Sequence, residues 1–334
     1  MTYPFYTDEP LKESPKPPVE LPPPYQREQT RPEDYLPDKG LVDAVNVALL
    51  LGQPLLLTGQ PGAGKTQLAY HLAYQLGLQT PLKFSTKSTS ISRDLFYTYD
   101  ALGRFHAAQV AQLENTIDHR KSVDYMTYTA LGKAIVLTNP PEKVKAYLPS
   151  TFENYSEPRR SVVLIDEIDK APRDFPNDIL DEVENWCFRI PELDNVEIQA
   201  ADHKQPILIL TSNSEKPLPE AFLRRCIYYD IPFPDESRLR QIVEKRLSAQ
   251  IDDINKFLGD ALGLFYKLQK SHLRKKPSTA ELLNWLLALR DIFKGVDNPF
   301  SEPKEIERTI SSLVKMAEDR KAAKIILEQW CDEQ

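Results

Sequence analysis

The segment from residue 59 to residue 66 constrains this chain more than any other feature of its sequence. It reads, in order, Gly59, Gln60, Pro61, Gly62, Ala63, Gly64, Lys65 and Thr66. An apolar run at 55–57 precedes it and a helical pattern follows it, so the spacing predicts a loop between a strand and a helix. Glycines let successive backbone N–H groups point into one concavity that holds phosphate oxygens. The start of a helix adds a positive dipole end to such a loop.

The pattern G-x-x-x-x-G-K-T predicts a P-loop that binds a nucleoside triphosphate with Mg²⁺. Lys65 is expected to reach the β- and γ-phosphates, and the Thr66 hydroxyl is expected to ligate the magnesium ion. Only 11 of the 334 residues are glycine, yet three of them fall within six positions of this segment. An ordinary glycine turn is the competing interpretation, and the strand and helix on either side favour the P-loop.

The composition is that of a globular protein, with 41% hydrophobic residues and a formal net charge of −7. The negative balance argues against a generally basic nucleic-acid-binding protein and leaves only a local basic groove open. No apolar stretch approaches the ~20 residues of a membrane span. The first residues also lack the pattern of a signal peptide. Scattered cysteines without metal-ligand spacing indicate reduced thiols, so we expect a cytoplasmic protein; they are Cys187, Cys226 and Cys331.

Three regions of the chain differ in pattern. Residues 1–37 contain ten of the 28 prolines, which favours an extended tail, either mobile or docked on a neighbouring subunit. Residues 38–233 alternate apolar strands with helical patterns, which predicts an α/β domain with a doubly wound parallel sheet. Residues 234–334 show helical patterns only, which predicts a smaller all-α domain.

Two β-hairpins are expected within the α/β region. Residues 95–99 and 104–107 flank the short segment 100–103 and predict the first hairpin. Residues 188–190 and 196–198 predict the second hairpin in the same way. The pattern over 125–137 indicates a helix.

Two acids follow a buried strand at the place where parallel sheets bind ligands. The apolar run at 162–165 is typical of a strand that is buried on both faces, and Asp166 and Glu167 lie at its carboxyl end, where such sheets bind ligands. Asp166 is expected to anchor Mg²⁺, and Glu167 is expected to activate the attacking water. Asn213 lies at the tip of the neighbouring strand, two residues after the run at 207–211, and could hold the same water. A solvated loop and a turn asparagine are the competing interpretations.

Two adjacent arginines, Arg224 and Arg225, follow the phrase at 218–223. An arginine that reaches the site of a neighbouring subunit would neutralise charge in the transition state. A surface ion pair is the alternative interpretation.

Together these parts resemble the AAA+ ATPases, and the resemblance covers residues 40–290. The two predicted hairpins resemble the inserts of the helix-2-insert clade. Three phrases are similar to the MoxR branch, and they lie at 100–105, 164–172 and 218–226.

The resemblance implies a P-loop NTPase fold with a C-terminal helical lid, and ATP and Mg²⁺ as cofactors. It makes 59–66 the Walker A motif, Asp166 and Glu167 the Walker B pair, and Asn213 the sensor-1 residue. Arg225 then aligns best with the arginine finger, and Arg224 is second. The resemblance also implies a hexameric ring that remodels a protein partner in a chaperone-like way, often a protein with a von Willebrand factor A-type domain.

The chain departs from the family pattern at two places. Ala280 stands where a sensor-2 arginine is expected, and Lys276 could substitute only as a point charge rather than a planar fork. The distance between the Walker motifs is long, which predicts an insertion over 109–160.

Two other functions remain as hypotheses. One is a nucleic-acid-linked motor or defence-system NTPase, although the short basic runs at 119–121 and 274–276 are more typical of solvated faces. The other is a scaffold that binds ATP with negligible turnover, and Glu167 counts against it.

Overall fold

The protein is described by a computed structural model that covers residues 31–113, 121–248, 251–294, 296, 298–301 and 303–332. The tail predicted over 1–37 is therefore described only from residue 31, and His119 and Arg120 lie outside the described residues. The chain divides into two compact units. One unit comprises Pro37–Gly59 and Gly64–Ile231, and the other includes Gln60–Ala63 and the residues from Pro232 onward.

The described strands, in chain order, are β1 (Leu55–Gly59), β2 (Leu82–Ser85), β3 (Tyr97–Tyr99), β4 (Met126–Tyr128), β5 (Val162–Asp166), β6 (Cys187–Ile190), β7 (Val196–Gln199), β8 (Ile207–Thr211) and β9 (Ile227–Ile231). The helices of the same region are α1 (Lys39–Leu51), α2 (Lys65–Gln75), α3 (Ala101–Leu113), α4 (Ala130–Leu137), α5 (Pro141–Val144), α6 (Phe175–Asp178), α7 (Leu180–Asn185) and α8 (Glu220–Leu223). Those that follow are α9 (Glu236–Arg246), α10 (Ile251–Asn255), α11 (Leu258–Lys270), α12 (Thr279–Ile292), α13 (Pro303–Glu307) and α14 (Ala317–Asp332).

A parallel sheet forms the centre of the first unit, in the order β2-β5-β8-β1-β9. Its central strands are apolar on both faces, and Leu56, Leu57 and the run at 162–165 are fully buried. Such continuous apolar strands need cover on both sides, which parallel α/β folds provide. The prediction of an α/β P-loop fold with a doubly wound parallel sheet is confirmed.

The first predicted hairpin is wrong in its second strand. Residues 104–107 lie in α3, and β3 pairs instead with β4 in an antiparallel ribbon. The reason is local, because Asp100 Oδ1 accepts a hydrogen bond from the Gly103 N–H at 2.8 Å and so starts a helix where a turn was expected. The helix predicted over 125–137 correspondingly begins only at Ala130.

The second predicted hairpin is confirmed. β6 and β7 pair antiparallel, with Cys187 opposite Gln199 and Arg189 opposite Glu197. Arg189 Nε lies 2.8 Å from Glu197 Oε2. Asp194 and Asn195 take the left-handed backbone of the connection, with φ of 55° and 60°, and these two residue types tolerate that conformation.

The second unit contains helices and loops but no strand among its described residues. Its core is built on the fully buried side chains of Trp285 and Phe265 together with leucines of α11 and α12. Ser278 begins α12 with a capping box to Glu281, which satisfies two backbone N–H groups at the helix start. The helical segment near the end of this unit is interrupted between α13 and α14. Thr309 lies in the interruption, where its hydroxyl accepts a hydrogen bond from the buried Trp285 Nε1–H at 2.8 Å.

None of the described helices is long and apolar enough to cross a membrane.

Candidate active site

The P-loop joins β1 to α2 through glycines with positive φ. Gly59, Gly62 and Gly64 have φ of 132°, 77° and 91°. Residues other than glycine rarely adopt these positive φ values. A Cβ on Gly59 would also lie 2.8 Å from the carbonyl oxygen of Ile231. The loop turns tightly at its start, where the Ala63 N–H donates to the Gln60 carbonyl at 3.1 Å. The glycine spacing is therefore required by the backbone of this loop.

Lys65 begins α2 and is almost completely buried, with 6% of its surface exposed. Its Nζ donates to the Gly59 carbonyl at 2.7 Å, which holds the ammonium beneath the loop. Burial lowers the pKa of Lys65 from its usual value, and the nearby carboxylates of Asp169 and Asp166 oppose that shift. The ammonium is thus a positive charge that is largely removed from solvent. Because water screens it little, it attracts an anion more strongly.

Asp166 is the centre of a polar cluster at the end of β5. Its Oδ1 accepts hydrogen bonds from the Thr66 hydroxyl at 2.9 Å and from the Thr211 hydroxyl at 2.8 Å. Its Oδ2 lies 2.6 Å from Lys83 Nζ. Burial acts to raise the pKa of Asp166, but the hydrogen bonds from Lys83, Thr211 and Thr66 outweigh it and the pKa lies below its usual value.

The donor chemistry of this cluster fits a magnesium ion. Mg²⁺ prefers hard oxygen ligands and is usually held by one or two protein groups together with substrate phosphates. Thr66 and Asp166 supply a hydroxyl and a carboxylate oxygen within hydrogen-bond distance of each other. The ammonium of Lys83 on Asp166 Oδ2 shows that this carboxylate already attracts a cation. Thr66 and Asp166 are therefore the residues that would hold the ion.

Glu167 follows Asp166 in a left-handed backbone conformation, with φ of 58° and ψ of 53°. This conformation is costly for a residue with a side chain and is typical of functional sites. The Thr211 hydroxyl accepts the Glu167 N–H at 2.9 Å. Glu167 Oε1 accepts the Asn213 side-chain amide at 3.1 Å, and Oε2 accepts Lys170 Nζ at 2.5 Å. The structure thus brings Glu167 and Asn213 together next to Asp166.

The two arginines are not brought to this cluster. Arg225 donates from Nε to Glu184 at 3.1 Å and from a terminal nitrogen to the Ala221 carbonyl at 3.2 Å. Arg224 forms an ion pair with Glu220, one helical turn earlier. Both side chains are exposed enough for another molecule to reach, at 47% for Arg225 and 75% for Arg224.

The two positions considered for the sensor-2 residue, 276 and 280, lie in the second, helical unit. Ala280 is the second residue of α12, and Lys276 lies in the loop just before the Ser278 cap, where it is exposed.

Four polar residues of the cluster are missed by the sequence reasoning. Thr211 and Lys83 have weak signals, a polar end to an apolar strand and a charged position in a short strand of alternating exposure. Asp169 and Lys170 stand in the phrase at 164–172 but give no signal of their own. β2 pairs with β5 so that Lys83 lies opposite Leu164 and its side chain reaches Asp166, and a single sequence does not specify that pairing.

Comparison with known proteins identifies the family. The model of the AAA family, described as the ATPase family associated with various cellular activities, matches residues 55–234. This match covers more than half of the 334-residue chain, so the chain belongs to the AAA family of ATPases. It is an ATPase with a nucleotide-binding P-loop.

The chain is similar to solved structures at low sequence identity. The RuvB Holliday junction branch migration motor of Thermotoga maritima is 18% identical over 87% of this chain and 75% of that chain, with a TM-score of 0.46. A variant of the same RuvB is 17% identical over 90% of this chain and 80% of that chain, with a TM-score of 0.47. The comparison with curated proteins found no match.

Proposed function

We propose that this AAA ATPase hydrolyses ATP with Mg²⁺ at the cluster around Asp166 and couples the hydrolysis to chaperone-like remodelling of a protein partner. The observation that carries the proposal is the contact between Asn213 and Glu167 Oε1 beside the pair Thr66 and Asp166. Phosphoryl transfer to water needs a metal anchor, a group that orients the water and positive charge on the phosphates. The cluster contains candidates for all three.

Each residue then has a distinct task. The P-loop N–H groups and Lys65 hold the phosphates, and Thr66 with Asp166 holds the metal ion. When bound, Mg²⁺ neutralises charge on the phosphate oxygens. Glu167 orients and deprotonates the attacking water, and Asn213 holds the Glu167 carboxylate in position. A fixed carboxylate at the end of a buried strand needs little reorganisation during the reaction.

Arg225 takes the role of an arginine finger in a neighbouring copy of the chain, with Arg224 as the second candidate. Arg224 pairs with Glu220 of α8 and Arg225 pairs with Glu184 of α7. Neither contact is with the site, which supports a role in trans. This arrangement requires an oligomer, and we propose the hexameric ring that is typical of MoxR-like proteins.

We propose a protein, in particular one with a von Willebrand factor A-type domain, rather than a nucleic acid as the partner. The three phrases similar to MoxR proteins support this choice, and so does the net charge of −7. Backbone phosphates attract clustered positive charge, which this chain lacks overall. A nucleic-acid-linked motor is the second candidate function.

The test uses Glu167→Gln, which keeps the shape of the side chain and removes the base. The variant should bind ATP as the wild type does and release phosphate roughly 100- to 1,000-fold more slowly, the size of effect expected for a lost catalytic base. The exposed Glu244 of α9 gives the matched control, Glu244→Gln, which should hydrolyse ATP at the wild-type rate. Equal phosphate release by Glu167→Gln and the wild type would support a scaffold without turnover.

The same variant identifies the partner. Bound to ATP it should retain its client, so co-purification from native lysate is compared between ATP and ADP and with nuclease treatment. A protein retained only with ATP and resistant to nuclease would support the remodelling function. Nuclease-sensitive DNA or RNA in its place would favour the motor.

A further inference from the structure

Asp169 is a buried carboxylate that the proposed mechanism does not use. It lies in the short helical turn Ile168–Lys170 directly after Glu167, and only 3% of its surface is exposed. Its side chain accepts hydrogen bonds from the backbone N–H groups of Asn213 and Glu215, at 3.2 and 2.9 Å. A buried charge is costly unless it is paired or hydrogen-bonded, so these two bonds are a strong constraint on both segments.

The loop that receives Asp169 is shaped to bind an anion. Ser214 has a left-handed φ of 59°, and its own N–H donates to the Ser212 hydroxyl at 2.9 Å. The N–H groups on either side of Ser214 both donate to Asp169. Backbone N–H groups that converge on either side of a left-handed residue form a concavity that binds an anion. Here the anion is supplied by the chain itself.

We propose that Asp169 is a positioning residue for hydrolysis, which fixes the loop after β8 so that the Asn213 amide reaches Glu167. The inference rests on the roles proposed above for Glu167 and Asn213. Asp169 and Glu167 belong to the same turn. The hydrogen bonds from the Asn213 and Glu215 N–H groups to Asp169 therefore link the loop after β8 to the turn that contains Glu167. The side chain of Asn213 then starts from a fixed backbone and needs to order only its own torsions.

The Asp169→Asn variant keeps the shape of the side chain but removes its negative charge, which weakens the hydrogen bonds from both backbone N–H groups. Loosening of the loop should lower kcat roughly 10- to 100-fold, the penalty for a misplaced reacting group. The dissociation constant for ATP should stay within about twofold, because an interaction made only in the transition state leaves ground-state binding unchanged. Asp178→Asn, an exposed acid nearby in the chain, is the matched control and should behave as the wild type.

A double-mutant cycle separates positioning from a general structural effect. If Asp169 acts through Asn213, then Asp169→Asn should change kcat less than about twofold in an Asn213→Ala background, since coupled residues are not additive. The same full loss of kcat in both backgrounds would overturn the proposal. Loss of ATP binding by Asp169→Asn would overturn it as well.

Wild-type protein provides a test that does not depend on the folding of a variant. Amide hydrogen exchange should show protection of the Asn213 and Glu215 N–H groups, and fast exchange at both would overturn the proposal. The exchange result stands apart from the proposed function, because wild-type phosphate release and its loss in Glu167→Gln report on that function alone. A protected loop in a protein without turnover would therefore count against the function and not against the contact.

Discussion

At the scale of single residues, the carboxylate of Asp166 is shared between two hydroxyls and a lysine. Lys83 lies on β2, beside the strand that ends at Asp166, with its side chain 36% exposed. Water screens such a pair only in part. A metal ion held at the same carboxylate would be repelled by this ammonium, so Lys83 would compete with the proposed ion for Asp166.

Lys83→Met should therefore lower the Mg²⁺ concentration that gives half-maximal ATP hydrolysis. The expected change is up to about fivefold, which corresponds to a partly exposed ion pair worth ~1 kcal/mol. Steady-state phosphate release measured across a Mg²⁺ titration checks the prediction. Lys87→Met is the control, because Lys87 is exposed beyond the end of β2. An unchanged or higher Mg²⁺ requirement in Lys83→Met would show that Lys83 does not compete with the ion.

The residues around Asp166 also show what a single sequence can and cannot specify. Lys65, Asp166 and Glu167 are predictable because a motif or a strand end fixes their place along the chain. Lys83 and Thr211 reach the same carboxylate through the lateral order of strands. That order depends on packing between segments that are far apart in sequence, so local sequence patterns do not predict it.

At the scale of elements, α4 packs unusually closely against the segment before β3. A Cβ on Gly132 would lie 2.0 Å from the carbonyl oxygen of Phe96. The same carbonyl accepts the Thr129 N–H at 2.9 Å, so it cannot move away without breaking that bond. The glycine is required by close approach of two backbones and not by its own torsion angles.

Gly132→Ala should lower the free energy of unfolding by about 1–3 kcal/mol, as overpacking of a buried site does. Gly259→Ala is the matched control near the start of α11, where the nearest atom outside the helix backbone would be Arg240 Nη2 at 4.0 Å from the new Cβ. That change should be neutral or stabilising by about 0.5–1 kcal/mol, because alanine favours helices. Urea denaturation followed by circular dichroism compares the two. Equal stabilities would mean that Phe96 shifts easily.

The same region explains why the first hairpin could not be predicted. Residues 97–99 have a strand pattern, but their partner lies at 126–128, beyond α3. Pairing with the nearest candidate strand is a sound local rule, and Asp100 overrides it by capping a helix. The second hairpin was predictable because its connection is short and carries Asp194 and Asn195.

At the scale of the whole molecule, the excess of negative charge bears on the choice between the two candidate functions. The formal net charge is −7. The basic run at 274–276 lies in a loop that is held by Asp319. The Asp319 carboxylate accepts hydrogen bonds from the backbone N–H groups of Arg274 and Lys275 at 3.0 Å. A run of three basic residues offers few contacts to a phosphate backbone, so we expect the protein to bind nucleic acid weakly.

Binding of the protein to DNA should be undetectable at about 150 mM salt, with at most a shallow dependence on salt below that concentration. Fluorescence anisotropy with labelled single- and double-stranded DNA measures both quantities. A matched variant, Lys275→Gln with Lys276→Gln, should bind as the wild type does. A steep loss of affinity with salt, together with DNA-stimulated phosphate release, would favour the nucleic-acid motor.

The left-handed backbone of Glu167 has a consequence for protein engineering. A glycine at that position would relieve a conformational cost of about 1–3 kcal/mol, while the contacts of the Glu167 side chain with Lys170 and Asn213 are partly exposed and offset little of it. A screen that selects only for heat resistance would therefore accept the loss of the proposed catalytic base. Stabilised versions of this protein should be selected for turnover as well, or position 167 should be held fixed.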